Sequence, residues 1–121
     1  MNQSQAPSAP DETIHQPVRL RVMAALTAPG AEEEGLDFSQ LKSLTGATDG
    51  NLGAHIDTLT RAGYVEVTKA FVARRPKTTV RASAKGRAAF TAHVAFLRSI
   101  INWINSRPRA RSAAEAPGIP S

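Results

Sequence analysis

A chain of 121 residues has room for one domain built from a few short helices and a small sheet, and 41% hydrophobic with 21% charged residues is the make-up of a packed fold. The absence of cysteine excludes disulfide scaffolds, thiolate zinc centres and cysteine nucleophiles. A net charge of +5 predicts attraction to polyanions, nucleic acid or acidic lipid, without choosing between them.

No basic stretch followed by an apolar run opens the chain, and no segment approaches the roughly 18 apolar residues of a membrane span. A cytoplasmic protein with no membrane partner is expected. Residues 1–12 are polar and proline-bearing and predict a disordered leader. Ile14, Val18, Val22, Ala25 and Leu26 then recur at helical spacing, predicting a first helix from Ile14 to Pro29-Gly30 with Pro17 in its first turn. Residues 31–35 carry three glutamates and read as a solvated loop. Leu36, Asp37 and Phe38 alternate like a minimal strand, and Ser39 is the expected N-cap of a second helix over 39–45 that buries Leu41 and Leu44.

Gly46-Ala47 makes a tight turn before a third helix over 48–62, in which Leu52, Ile56 and Leu59 share one inward face and Gly63 forms a left-handed end. These two helices and their turn make a helix-turn-helix. The period then changes from 3.6 to 2: strands are expected over 64–71 and 78–82, flanking a basic hairpin tip over 72–77. Ser83 caps a last helix reaching Asn105, where Phe90, Val94, Leu97, Ile101 and Ile104 step by four and three, widened by Phe96, Ile100 and Trp103. Residues 106–121 predict a disordered basic tail, leaving 13–105 as the domain. The fold class is mainly α with a small β-hairpin, α+β.

This order of elements resembles the winged-helix regulators related to the MarR and ArsR families. The resemblance is carried by His15-Gln16-Pro17-Val18-Arg19, by Phe38-Ser39-Gln40-Leu41 and above all by TDGNLGAHIDTLTRAGYVEVTKAF over 48–71. Arg75-Pro76-Lys77-Thr78-Thr79 at the hairpin and Ser83-Ala84-Lys85-Gly86-Arg87 at the last helix extend it to about two thirds of the chain. It implies a winged helix-turn-helix whose long C-terminal helix serves dimerisation. It further implies a homodimer that binds double-stranded DNA, each subunit placing its third helix in a major groove and its hairpin, the wing, on the backbone or minor groove.

With Leu52, Ile56 and Leu59 inward, the 100-degree step of a helix turns Gly50, Ala54, Asp57, Thr58 and Arg61 outward, with Asn51 and Gly53 at the flanks. The N-terminal part of a recognition helix makes most base contacts. The candidate DNA-binding residues are therefore Thr48, Asp49, Gly50, Asn51, Gly53, Ala54, Thr58 and Arg61, joined by Arg74, Arg75 and Lys77 of the wing. Asn51 suits adenine or is a solvated surface residue, and Thr48 is a phosphate donor or only a helix cap. Gly50 and Gly53 weaken a helix by about 1 kcal/mol each, which close approach of the DNA backbone explains. His55 is expected to be packed or backbone-bonded in preference to a DNA contact.

The N-terminal half of the third helix has no Arg or Lys, the residues that most often read guanine, and carries Asp49 instead. Between residues 42 and 87, nine Lys or Arg residues face three carboxylates, so the cations lie around that helix and in the wing. They are phosphate contacts or a solvated cluster. The stripe of Phe90, Val94, Leu97, Ile101 and Ile104 either covers its own domain or serves dimerisation, and it is assigned to dimerisation because it exceeds what one small domain needs.

An enzyme is not expected. His15, His55 and His93 fall on separate helices, without a phosphate loop, a nucleophile elbow or a paired carboxylate motif. No metal site and no cofactor are expected, because an ArsR-like sensor needs a ligand cluster. A small-molecule effector is compatible with this reading, but no residue constellation specifies one. The alternative function is a winged-helix protein–protein interaction module that uses the same basic face without specific DNA binding.

Overall fold

The computed structural model describes residues 10–107. The leader expected over 1–12 and the tail expected over 106–121 fall outside these, apart from residues 10–12 and 106–107. In place of the single first helix that the periodicity predicts, there are two: α1, Glu12–His15, and α2, Pro17–Thr27. Proline disfavours helical backbone in the residue before it. Gln16 accordingly lies in the extended region, breaks the first helix and caps the second, its side chain accepting from the Arg19 amide at 2.9 Å. Helical structure starts at Glu12, two residues earlier than expected, because the Asp11 carboxylate accepts from the amides of Thr13 and Ile14.

Strand β1, Leu36–Asp37, leads into α3, Phe38–Thr45, and α4, Asp49–Arg61, follows. The cap of α3 is Asp37 rather than Ser39. Asp37 accepts from the Gln40 amide and Gln40 returns the bond to the Asp37 amide, each at 2.8 Å, a reciprocal pair that satisfies two otherwise orphaned donors. Leu44, expected inside, is 61% exposed. The short helix turns Leu41 and Thr45 inward, and the Thr45 hydroxyl stays satisfied by donating to the Leu41 carbonyl at 2.7 Å. Leu44 sits on the far side of Leu41 from Thr45.

Strands β2, Val65–Val72, and β3, Arg75–Ala82, form the hairpin, and β1 adds to the free edge of β3 in the antiparallel order β1-β3-β2. Strand β2 is shifted by one residue, leaving out Tyr64 and reaching Val72, and β3 starts three residues earlier than expected, so Arg75, Pro76 and Lys77 belong to β3 and the tip shrinks to Ala73-Arg74. These two residues have φ of 52° and 67°, the left-handed backbone of the tight turn whose twist matches the strands. Pro76 is accommodated because β1 pairs only with Thr79 and Val80, so the ribbon at Pro76 is two-stranded.

The last helix, α5, covers Ala84–Ser106 and starts at the expected cap, with the Ser83 hydroxyl accepting from the Gly86 amide at 2.9 Å. Gly86 is there for packing: a Cβ would overlap the Tyr64 carbonyl. One core joins these elements, with Ile14, Val22, Met23 and Leu26 from the first helices, Leu41 from α3, Leu52, Ile56 and Leu59 from α4, and Val65, Val80 and Ala82 from the sheet. Each large side chain so buried stabilises the fold by about 1.5–3 kcal/mol. The architecture is the expected helix-turn-helix with a hairpin beside it and a long final helix.

Candidate nucleic-acid interface

The burial of Leu52, Ile56 and Leu59 fixes the roll of α4 and leaves Asp49, Gly50, Asn51, Ala54, Asp57 and Arg61 exposed, with Gly53 and Thr58 half-buried. Thr48 caps the helix, its hydroxyl oxygen accepting from the Asn51 amide at 3.2 Å, so the hydroxyl proton stays available to an outside acceptor. Thr58 instead spends its proton on the Ala54 carbonyl at 3.1 Å. A Cβ at Gly50 or Gly53 would meet nothing within 4 Å, so the fold does not require glycine at either position.

The two carboxylates of α4 are both paired. Asp49 meets Lys42 of α3 at 2.8 Å, and Asp57 meets Arg61 one turn on at 3.6 Å. Exposed pairs of this kind are worth at most about 1 kcal/mol. A phosphate can therefore compete for Lys42 and Arg61 at little cost, and the acidity of the helix is locally cancelled.

An open groove separates α4 from the hairpin, with Gly53, Asp57 and Thr60 on the helix wall and Val67, Lys69 and Thr78 on the strand wall. Lys69 is absent from the candidates drawn from the sequence. Alternation could have found it, since Val65, Val67 and Lys69 share one strand face and the lysine falls where the apolar series leaves the core. Arg75 and Lys77 lie on the opposite face of the ribbon, and Arg74 lies in the turn. All four cations are exposed, and none takes part in the ion pairs among the described residues. The wing thus carries positive charge on both faces and at its end, whereas Arg81, further down β3, is held by Glu66 and the Glu33 carbonyl.

The histidines behave differently from one another. His55 is half-buried as expected, with the Arg19 guanidinium 3.1 Å from its Nδ1, and burial together with that cation pushes its pKa down. His15 and His93, which stand far apart in sequence, touch. The Asp11 amide donates to His93 Nδ1 at 3.2 Å, so the proton of the neutral ring sits on Nε2 and points to His15 Nδ1 at 3.3 Å. Tyr64 donates to the other Asp11 oxygen at 2.7 Å, which, with burial, raises its pKa to about 12. Among the described residues no group of three or more His, Asp or Glu side chains is placed to hold a metal ion.

On α5, Phe90 packs against the core, and Val94 and Leu97 are half-buried, but Ile101 and Ile104 are exposed together with Ile100 and Trp103. The five stripe residues are thus divided between the subunit's own core and solvent. Among the described residues no helix is long and apolar enough to cross a membrane.

Residues 18–101 match the family model described as a winged helix DNA-binding domain. The chain belongs to that family. It is a family of DNA-binding domains rather than of enzymes. An uncharacterized protein of Methanocaldococcus jannaschii is 35% identical over 77 residues, which cover 64% of this chain and 79% of that protein. Among solved structures, a transcriptional regulator homologue from Pyrococcus horikoshii superposes with a TM-score of 0.69 at 31% identity, covering 78% of this chain and 89% of that one. A MarR-family transcriptional regulator from Silicibacter pomeroyi shares the fold at 21% identity, with a TM-score of 0.58 over 87% of this chain and 68% of that one.

Proposed function

We propose that this winged-helix protein is a dimeric transcriptional regulator that lays the outward face of α4 in the major groove of duplex DNA and its wing on the flanking backbone and minor groove. The observation that carries this reading is the shared groove between α4 and the hairpin: its helix wall holds one charge, Asp57, paired with Arg61, and its strand wall presents the exposed Lys69. A phosphate strand running along that groove meets Lys69. Thr48, Asp49, Gly50, Asn51, Gly53, Ala54, Thr58 and Arg61 then border base edges and the adjoining backbone, and Arg74, Arg75 and Lys77 take phosphates beyond. Asn51 is the base reader of the set, since its amide matches adenine bidentately.

The second subunit is recruited by the distal half of α5. The face that Phe90 and His93 press against their own domain continues along the helix as Leu97, Ile101 and Ile104, and from Ile100 onward its large side chains are exposed. Ile101 and Ile104 are 58% and 47% exposed, and a patch of that kind is covered at low cost by its own symmetry mate. Selection of bound duplexes from a random-sequence library with the full-length protein tests both halves of this reading. The expected product is a palindrome with half-sites about one helical turn, or a multiple of it, apart. Binding that ignores sequence and salt alike would refute it.

A further inference from the structure

The groove-side face of the wing ends in an apolar pair that none of the described residues covers. Along the hairpin, Val65 with Ala82, Val67 with Val80, Lys69 with Thr78 and Phe71 with Pro76 are successive cross-strand partners on one face. The first two pairs belong to the core or pack on it, while Phe71 is 76% exposed and contributes nothing to it. Opposing an aromatic ring to a proline across the ribbon makes a stiff, flat plate. The left-handed turn at Ala73-Arg74 places that plate just behind the tip, with Val72, 53% exposed, on the reverse side.

Around this plate stand Lys69 on its own face, Arg75 and Lys77 on the other face, and Arg74 at the end. Its complement is a surface with two anionic rims and an apolar floor between them. The minor groove of a duplex is built this way, with phosphates along both edges and sugar carbons and the base stack between. We propose that Phe71, backed by Pro76, enters the minor groove as an apolar wedge and partly unstacks one base step, while the four wing cations hold phosphates on both rims. This rests on the duplex-binding reading above and supplies what α4 lacks. A helix poor in Arg and Lys at its reading end gains sequence preference when the wing favours steps that open easily, the pyrimidine–purine steps.

The test uses the full-length protein and duplexes recovered by selection, carrying a fluorescent adenine analogue that brightens on unstacking at successive positions under the wing. The parent protein is expected to raise the fluorescence at one pyrimidine–purine step. Phe71→Ala is expected to abolish that rise and weaken binding by about tenfold, on the scale of a single aromatic–base stack, with the salt slope unchanged because no cation is removed. Phe71→Leu is expected to keep part of both signals. Since Phe71 lies outside the core, both variants should melt like the parent. Salt-dependent binding with parent-like fluorescence in Phe71→Ala would overturn the wedge and leave the duplex reading standing. Absence of salt-dependent duplex binding by the parent would overturn both. A Phe71-dependent attachment to vesicles of anionic phospholipid, without unstacking, would reassign the plate to a membrane surface. A change in sedimentation of free Phe71→Ala would reassign it to a contact between copies.

Discussion

Helices α4 and α5 carry apolar stripes of the same periodicity, yet the domain covers only one of them. In α4 the stripe of Leu52, Ile56 and Leu59 is buried, and what remains outside is mostly polar or glycine. In α5 only Gly86 and His93 are fully buried, and the stripe runs on into solvent through Ile100, Ile101 and Ile104. A helix whose exposed face is polar cannot hold a partner by burying apolar area, so it recognises through hydrogen bonds and the charges beside it. A helix whose exposed end is apolar holds a partner by burial and needs no charge. One small domain thereby presents two surfaces of different physics, one suited to a polyanion and one to an apolar partner, which the proposed function makes a second copy of the chain.

The largest test of this contrast lies inside α4. Leu52→Ala should lower the free energy of unfolding by about 2–5 kcal/mol, read as a shift of the urea midpoint at constant slope. A loss below about 1 kcal/mol would mean that the helix is not anchored by this stripe. Next comes the distal end of α5, where Ile101→Asp together with Ile104→Asp should raise the dissociation constant of the proposed dimer by at least about a hundredfold, given about 1.5–3 kcal/mol per large side chain buried. Sedimentation velocity reads the outcome. The subunit's own melting should hardly move, because neither side chain belongs to the core.

A smaller effect separates the wing from α4. Arg74→Ala with Arg75→Ala should weaken binding to all duplexes about equally and reduce the salt slope by about 2, one unit for each phosphate that is no longer neutralised. A change confined to one base position would instead assign these arginines to reading rather than holding. The smallest effect is the pH dependence of the α1–α5 junction. Burial first, then the neighbouring His15, keeps the His93 pKa below its ordinary 6.5, with Asp11 and Glu12 opposing. As pH falls through 6.5 the unfolded chain takes up this proton before the folded one does, so stability falls with it. His93→Asn keeps an acceptor for the Asp11 amide and removes the titration. Thermal melting between neutral and mildly acidic pH should therefore flatten in that variant.

Much of the fold was legible because its signals are local. The caps at Thr48 and Ser83, the left-handed Gly63 and the stripe of α4 each depend on residues within a turn or two of one another. The errors arose where neighbours compete. Ser39 and Asp37 both suit a cap, and Asp37 prevails because Gln40 can complete the reciprocal bond. Leu44 looks like a core residue by composition, but an eight-residue helix has one narrow inward face, and Leu41 with Thr45 fills it. The candidate interface divides in the same way. The outward set on α4 follows from helical geometry alone, whereas Lys69 becomes a wall of the groove only once the hairpin is placed beside α4.

By itself the sequence determined the order of elements, the roll of α4 and the clustering of cations around the hairpin, because periodicity and short-range capping act over a few residues. Only the tertiary structure decided that Lys42 of α3 neutralises Asp49 of α4, that His15 meets His93, and that Phe71 stands uncovered among cations. Each of these depends on how separate elements lie against one another once packed, and that arrangement is written in no single stretch of the chain.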